Sequence, residues 1–172
     1  ANINAAKNFG VTGWLDKTRK YADFLVSFAE QHHFTFGAGD DEGWLVQDYW
    51  HPNRESSPTH ASLNHHAAEA EFLYRMADAV NEDSYAVLAD RMVRGIEQSE
   101  LLWYKPDGDL NYSYKPDGTC SGQDYPYLTY NDLLELQRLY AVRHGQENPA
   151  IARLLQVKLT WMHKNGVTGY NK

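Results

Sequence analysis

The sequence has little of three features that would each indicate a class of protein. Its 172 residues include one cysteine, Cys120, which excludes an intrachain disulfide. No apolar run approaches the roughly 18 residues that a membrane-spanning helix needs, so we expect no membrane partner. Basic residues are also fewer than acidic ones, 16 against 23. This balance argues against a nucleic-acid partner, which requires a basic surface.

The start of the chain and its compartment give weaker expectations. The sequence begins with Ala1 and has no recognisable signal peptide, so we expect a piece of a longer chain. A lone cysteine is compatible with the cytosol and with export, and we favour an extracellular or periplasmic location.

What the sequence does have is aromatic residues, 13% of the chain. Tyr and Trp outside apolar helical stripes are common where proteins bind sugars or peptides.

Hydrophobic periodicity and capping residues predict five helices. Asp83 is expected to cap the third helix, and Thr129 to Asp132 form a variant capping box for the fourth. Gly145 is a natural end for the fourth helix, and Asn148 followed by Pro149 is typical of a helix start. The predicted helices cover residues 13–31, 62–80, 84–103, 129–144 and 149–162.

The connections alternate between short and long. The links 81–83 and 145–148 are short and predict antiparallel hairpins, whereas 34–61 and 104–128 are long. Because successive helices reverse direction, we expect both long connections at the same end of the bundle. Long loops in compact domains are usually functional. These two contain strand-like pieces at 43–50 and 110–114, the second between Lys-Pro-Asp-Gly turns at 105–108 and 115–118.

This pattern predicts an all-α fold with small β-hairpin elements in its long loops. Repeated helical hairpins close as a toroid or stack as a solenoid. Five helices are too few to close a ring, so we interpret residues 1–172 as a single domain, a partial α/α toroid. Apolar helix faces left open by a partial ring favour association. We therefore expect a homo-oligomer or a missing half.

The long loops concentrate residues that can move protons or stack on sugars. Carboxylates, Tyr and His serve as acids and bases at glycosidic oxygens and ring carbons. We therefore favour an oligo- or polysaccharide ligand, with no cofactor. The expected catalytic residues are Asp48, His60, His65, Tyr112, Tyr114 and Tyr125, and the expected substrate-binding residues are Trp44, Tyr49, Trp50, His51, Arg54 and Tyr127.

Other interpretations of the same residues stay open. His60, His65 and His66 with Asp48 or His51 could bind a metal, but the i, i+4 histidine pair of zincins is absent. His66 lies in the apolar stripe of its helix, which favours a packed, hydrogen-bonded core histidine. The acids of 40–42 suit a solvated turn. Cys120 has no nearby base, and no phosphate-binding glycine loop is present.

The segment 124–133, Asp-Tyr-Pro-Tyr-Leu-Thr-Tyr-Asn-Asp-Leu, resembles the C-terminal domain of the glucuronyl C5-epimerase family. The segment 57–64 resembles that family's entry into an earlier helix, and 110–114 is loosely similar to its tyrosine-bearing strand. The resemblance implies an α/α toroid that abstracts and returns the C5 proton of a uronic acid. It assigns active-site tyrosines to Tyr125 and to Tyr112 or Tyr114.

Two departures separate the chain from that family. Pro126 stands where the family has a histidine, and residues 115–118 replace an Asp-Leu-Arg-His stretch. The leading expectation, which rests on the resemblance, is C5 epimerisation of an acidic polysaccharide. The alternatives are a toroidal glycoside hydrolase or polysaccharide lyase, a non-catalytic glycan-binding module, and a structural fragment without a ligand.

Overall fold

A computed structural model of the chain describes residues 12–49 and 58–171. The described part is rich in helix, with five α-helices and two small antiparallel sheets. The helices are α1 (Thr12–Gln31), α2 (Leu63–Val80), α3 (Ser84–Ser99), α4 (Leu128–His144) and α5 (Pro149–Lys164). The strands are β1 (His33–Phe36), β2 (Gly43–Val46), β3 (Ala61–Ser62), β4 (Asn111–Tyr114) and β5 (Cys120–Gln123).

The two short helix links are confirmed, and left-handed residues end the helices before them. Asn81 ends α2 at φ 53°, and Gly145 ends α4 at φ 74°. Asn148 begins α5 as predicted, since its side chain accepts hydrogen bonds from the next helical N–H groups, with Pro149 in the first helical position. The hairpins α2–α3 and α4–α5 therefore follow from local sequence chemistry.

Three details of the predicted helix ends are wrong. The Asp83 carboxylate makes no cap and instead pairs with Arg143 at 2.5 Å. Thr129 lies inside α4, and its hydroxyl donates to Asp124 at 2.5 Å, so the predicted capping box does not form. Helix α3 ends at Ser99, before a 3₁₀ turn, rather than near residue 103. Tertiary partners have displaced the local caps.

Both long connections contain a β-hairpin. Strand β1, which the sequence did not predict, pairs with β2, and β2 ends at Val46 rather than continuing to residue 50. The turn at 115–118 joins β4 to β5 as expected, and the turn at 105–108 lies within a bridge between Tyr104 and Leu110. The prediction that these Pro-Asp-Gly turns act as hairpin devices is confirmed.

The two long connections meet, as their position in the chain predicted. Ala61 and Ser62 of the first pair with Tyr114 and Ser113 of the second. The ring of Tyr114 also contacts the ring of Phe34 on β1, with 4.9 Å between centroids. Residues far apart in sequence are therefore brought together at the start of α2.

Helix α2 lies at the centre, packed against α3 and α4. Close approach of backbones fixes β2 beside α3, because a Cβ on Gly95 would lie 2.1 Å from the carbonyl oxygen of Trp44. Only glycine permits this contact, which places the end of β2 and therefore the residues after it. None of the described helices is long and apolar enough to cross a membrane.

Candidate active site

Asp48 is the centre of the candidate site. It follows β2, and its backbone N–H donates to the His60 carbonyl oxygen at 2.8 Å. Its carboxylate, with a side chain only 1% exposed, accepts from the backbone N–H of Ser62 at 2.7 Å and from the Ser62 hydroxyl at 2.5 Å. A third donor is Nδ1 of His65 at 3.0 Å. Three donors hold the carboxylate in one orientation.

His65 lies in the first turn of α2 and joins this buried carboxylate to solvent. Since Asp48 receives the hydrogen on Nδ1, the neutral ring has its lone pair on Nε2. The His65 side chain is 43% exposed, so Nε2 can reach a ligand. A buried carboxylate that fixes the tautomer of a partly exposed imidazole is the arrangement of a general base.

His60 approaches the same carboxylate from the other side. Its Nε2 atom lies 3.3 Å from Oδ2 of Asp48, without hydrogen-bond geometry, and becomes an ion-pair partner when the ring is protonated. The ring contacts those of Tyr49 and Tyr112, at centroid distances of 5.5 and 5.8 Å. His60 therefore connects the carboxylate to the tyrosines.

Two tyrosines complete the group. Tyr112 on β4 lies edge-to-face with Tyr125, with 5.7 Å between ring centroids. Burial raises the pKa of Tyr112, and its hydrogen bond with Ser62 opposes that rise. Tyr125 lies just before α4 and is 44% exposed. We call Asp48, His60, His65, Tyr112 and Tyr125 the His–Tyr cluster.

A buried ionic network lies directly behind Tyr125. Lys158 of α5 is fully buried, and its Nζ lies 2.6 Å from carboxylate oxygens of both Asp109 and Asp124. The second oxygen of Asp124 accepts from Thr129. Burial raises the pKa of Asp124, while the Lys158 charge opposes that rise. Because Asp124 precedes Tyr125 in the chain, this network fixes the backbone that carries the tyrosine.

Two further carboxyls lie close to His65. Glu69 is one helical turn further along α2, and burial, followed by the nearby Asp48 charge, raises its pKa to about 8. Asp132 on α4 has a pKa raised to about 6, first by burial and then by the charge of Glu71. Both carboxyls therefore hold protons more tightly than exposed acids do, which is typical of groups that serve as acids.

Several predicted residues lie outside the His–Tyr cluster. Trp44 is buried, with the His33 ring stacked on it at 3.8 Å and the Arg91 guanidinium 4.3 Å from its ring centroid. Its ring is thus occupied, and the expected stacking platform for a sugar is absent there. Tyr114 packs against Phe34 and Phe36 of β1 instead of facing the histidines.

The remaining predicted residues divide into two groups. Tyr49 contacts His60 and His65, and Tyr127 is exposed beside the start of α4. Asp40 and Asp41 lie exposed in a 3₁₀ turn, and Glu42 accepts a hydrogen bond from Nε1 of Trp44 at 2.7 Å. Three predicted substrate-binding residues lie outside the described ranges: Trp50, His51 and Arg54.

His66 is a core residue, as its place in the apolar stripe predicted. Its Nδ1 accepts from the backbone N–H of Val46 and its Nε2 donates to the carbonyl oxygen of Met92. Burial lowers its pKa to about 4. Burial also raises the pKa of the Cys120 thiol to about 12, which disfavours a nucleophilic thiolate. Within residues 12–49 and 58–171 no three metal-ligating side chains are grouped to hold an ion.

Sequence reasoning missed Ser62, Glu69 and Asp132. Ser62 is a short polar residue in an apolar entry to a helix, and nothing local marks it as a donor to Asp48. Glu69 does carry a signal, because its i, i+4 spacing places it on the same face of α2 as His65. Asp132 requires knowledge that α4 packs on α2, which only the tertiary fold provides.

Comparison of the chain with protein-family models, with curated proteins and with solved structures gives no match. The resemblance of segment 124–133 to glucuronyl C5-epimerases therefore stays an expectation. The chemistry of the cluster has to be argued from its own geometry: an oriented imidazole, two tyrosines and two acids with raised pKa values.

Proposed function

We propose that the protein is a carbohydrate-active enzyme that transfers protons at the His–Tyr cluster, and that its substrate is a uronic-acid-containing polysaccharide. One observation carries this proposal: the buried Asp48 carboxylate accepts from Nδ1 of the partly exposed His65, which leaves Nε2 available as a base, and the same carboxylate lies beside His60, whose ring contacts Tyr112. Purely structural histidines have both nitrogens engaged, as in His66.

C5 epimerisation uses these groups in a simple sequence. The C5 proton of a uronic acid is acidic because the adjacent carboxyl group delocalises the resulting charge. Nε2 of His65 takes that proton, and Tyr125 or Tyr112 returns one from its hydroxyl to the opposite face. The carbon inverts, and proton exchange with solvent restores both residues. Aromatic edges from Tyr49 and Tyr112 offer contact to sugar rings.

We also infer that the helix pairs belong to an α/α toroid of which this chain supplies a part. The alternating short and long connections support this, as does the meeting of both long connections at the start of α2. A further copy of the chain or an additional domain would complete the ring. Light scattering tests this directly, since a monomer with no exposed apolar face would contradict it.

Glycoside hydrolysis is the second candidate, and the raised pKa values of Glu69 and Asp132 favour it. In that reaction a protonated carboxyl gives its proton to the glycosidic oxygen, the C1–O bond breaks, and a base removes a proton from attacking water. A lyase would use the same C5 abstraction as an epimerase but would then expel the substituent at C4, leaving a double bond.

Proton exchange in D₂O separates these reactions. A uronic-acid polysaccharide is incubated with the protein, and NMR follows deuterium at C5. Parallel assays follow new reducing ends and the ultraviolet absorbance of unsaturated uronyl products. We expect C5 deuteration without chain cleavage, and loss of that activity in His65→Gln. New reducing ends without deuteration would favour hydrolysis, and unsaturated ends would favour a lyase.

A control variant removes a histidine elsewhere. His163 is exposed and pairs with Tyr170, so His163→Gln leaves the cluster unchanged and is expected to retain full activity. A folded wild-type protein that binds and alters none of these polysaccharides would contradict the proposed function.

A further inference from the structure

A groove between α1 and α2 opens beside the His–Tyr cluster. It is lined by Tyr21, His65, Ala68, Glu69 and Phe72 and has a volume of about 440 Å³. Small-molecule sites occupy roughly 300–1,000 Å³, so the groove is large enough for a ligand group. His65 belongs to both the groove and the His–Tyr cluster, so a ligand in the groove would lie directly beside the cluster.

The walls of the groove are aromatic. The rings of Tyr21 and Phe72 lie 5.3 Å apart at an interplanar angle of 59°. Tyr21 is 49% exposed, which leaves part of its ring open to a ligand. Neither ring contributes a charge, so the polarity of the groove is set by His65 and Glu69.

Glu69 is the unusual member of this lining. Within the described ranges its carboxyl forms no hydrogen bond or ion pair, whereas Glu71 on the same helix pairs with Arg75 at 2.5 Å. No cation offsets its burial, and Asp48 adds a like charge. A partly buried carboxyl without a donor is under-satisfied, and a ligand that supplies a positive donor would satisfy it.

The combination favours one ligand chemistry. A protonated amine donates up to three hydrogen bonds to a carboxylate and is attracted to aromatic ring faces. An ammonium group also stabilises the ionised form of Glu69, whereas an uncharged hydroxyl would leave that charge uncompensated and an anion would be repelled by it. The unpartnered carboxyl and the aromatic rings together therefore favour an ammonium group.

We propose that this groove binds a protonated amine and, resting on the proposed function, that the amine belongs to an amino sugar adjacent to the sugar unit reacting at the His–Tyr cluster. Glu69 is then a substrate-specificity residue. The substrate would be a polysaccharide in which uronic acids neighbour hexosamines with free amino groups.

Binding of the amine has a proton-linked signature. The titratable and charged groups around Glu69 are Tyr21 of α1, His65 of α2 and Asp48 after β2, with Asp132 of α4 close to His65. The pKa of Glu69 is about 8, so near neutral pH it is largely protonated and must release a proton to pair with an ammonium ion. Affinity should rise with pH until the amine itself loses its proton.

The test compares short glucosamine oligosaccharides with their N-acetylated forms by titration calorimetry. We expect the wild type to prefer the free amine by roughly 10- to 100-fold, as charge-assisted pairing implies. Glu69→Gln keeps the shape but removes the charge and should abolish the preference. Glu71→Gln, which removes a charge paired elsewhere on the same helix, should retain it. Calorimetry at neutral pH in two buffers of different ionisation heat should show proton release in the wild type and none in Glu69→Gln.

Equal binding of both sugar forms by the wild type would overturn the inference, as would an unchanged preference in Glu69→Gln. Circular dichroism establishes that each variant is folded. Uronic-acid binding that depends on His65 while the amine preference is absent would refute the groove alone. Ammonium binding in the groove, tested with an alkylammonium ion, together with a protein that alters no polysaccharide, would refute the proposed function alone.

Discussion

Two buried carboxylate networks lie side by side in this protein, and they differ in what they leave open. In one, Lys158 pairs with both Asp109 and Asp124, and all three side chains are inaccessible. In the other, the Asp48 carboxylate is equally buried but is held by His65, whose ring reaches solvent. We call the first, which has no exposed member, the closed network. We call the second, which connects the buried Asp48 carboxylate to solvent through His65, the open network.

The difference lies in the donors rather than in the acids. Lys158 and both of its carboxylate partners are fully buried, so near neutral pH this ion-pair network presents no group to a ligand. An imidazole gains or loses its proton in that range, so its carboxylate partner controls a group that titrates. The closed network contacts the open one at Asp124 and Tyr125, which are consecutive residues. Stability and proposed chemistry are thus linked through one short segment.

Removing the lysine should produce the largest effect. Lys158→Met leaves Asp109 and Asp124 buried without a cation, and breaking such a pair destabilises by about 3–5 kcal/mol. Urea unfolding at pH 7 measures the change. Lys164→Met, an exposed lysine on the same helix, is the control and should change stability by less than about 0.5 kcal/mol. Equal effects from both variants would mean that the closed network contributes no more than a surface charge.

Breaking the open network should affect activity more than stability. Asp48→Asn preserves the shape but presents an amide to Nδ1 of His65, which favours the wrong tautomer. We expect proton exchange at C5 to fall by about 10²- to 10³-fold, which is about 3–4 kcal/mol in the barrier. Deuterium incorporation by NMR is the measurement, with unfolding curves alongside. A variant that kept wild-type activity would remove Asp48 from the mechanism.

His66 is fully buried with both ring nitrogens hydrogen-bonded, so it can be compared with the partly exposed His65. Its folded pKa of about 4 lies below the unfolded value near 6.5, so the unfolded state binds a proton first as pH falls. The His66 contribution to stability is therefore fully present above pH 6.5 and declines between about pH 6.5 and 4. The total loss is about 3 kcal/mol.

The pH dependence of His66 is measured as a difference between two proteins. Unfolding free energies of the wild type and His66→Asn are compared at pH 7 and pH 4.5. The gap between them should narrow by about 2–3 kcal/mol on acidification, because only the wild type carries the titrating ring. A constant gap would mean that the His66 ring has the same pKa in the folded and unfolded states, so that its burial has no linkage to pH.

Local sequence predicted the helices and their short links well. Gly145, Asn148 and Pro149 act through backbone chemistry that needs no tertiary context. The reversal of successive helices also predicted that the two long connections meet, and β3 pairs with β4 accordingly. The sequence also predicted four site residues in or beside the long connections, and these lie together: His60, His65, Tyr112 and Tyr125. Their proposed roles stay predictions.

What failed was the side-chain environment. Trp44 is the type of residue that stacks on sugar rings, but its ring is covered because Gly95 allows α3 to approach β2 closely. Lys158 lies on the apolar stripe of α5 between Leu154 and Met162, but its partners Asp109 and Asp124 come from the second long connection and were not predicted. Strand β1 was missed because it is a short strand whose partner, β2, lies further along the chain, beyond a 3₁₀ turn. In each case the outcome depends on another element, which periodicity does not report.

The smallest expected effect tests the contact between the two networks. Thr129→Val keeps the shape but removes the hydroxyl that donates to Asp124. Loss of one hydrogen bond to a charged acceptor should destabilise by about 1–2 kcal/mol, less than the loss of Lys158. Because Asp124 precedes Tyr125, a few-fold decrease in C5 exchange should accompany it, measured well below the unfolding transition. Thr160→Val on the exposed face of α5 removes a hydroxyl that bonds only within its own helix. If Thr129→Val lowered stability but left exchange at the level of Thr160→Val, the closed network would hold α4 and α5 together without positioning Tyr125.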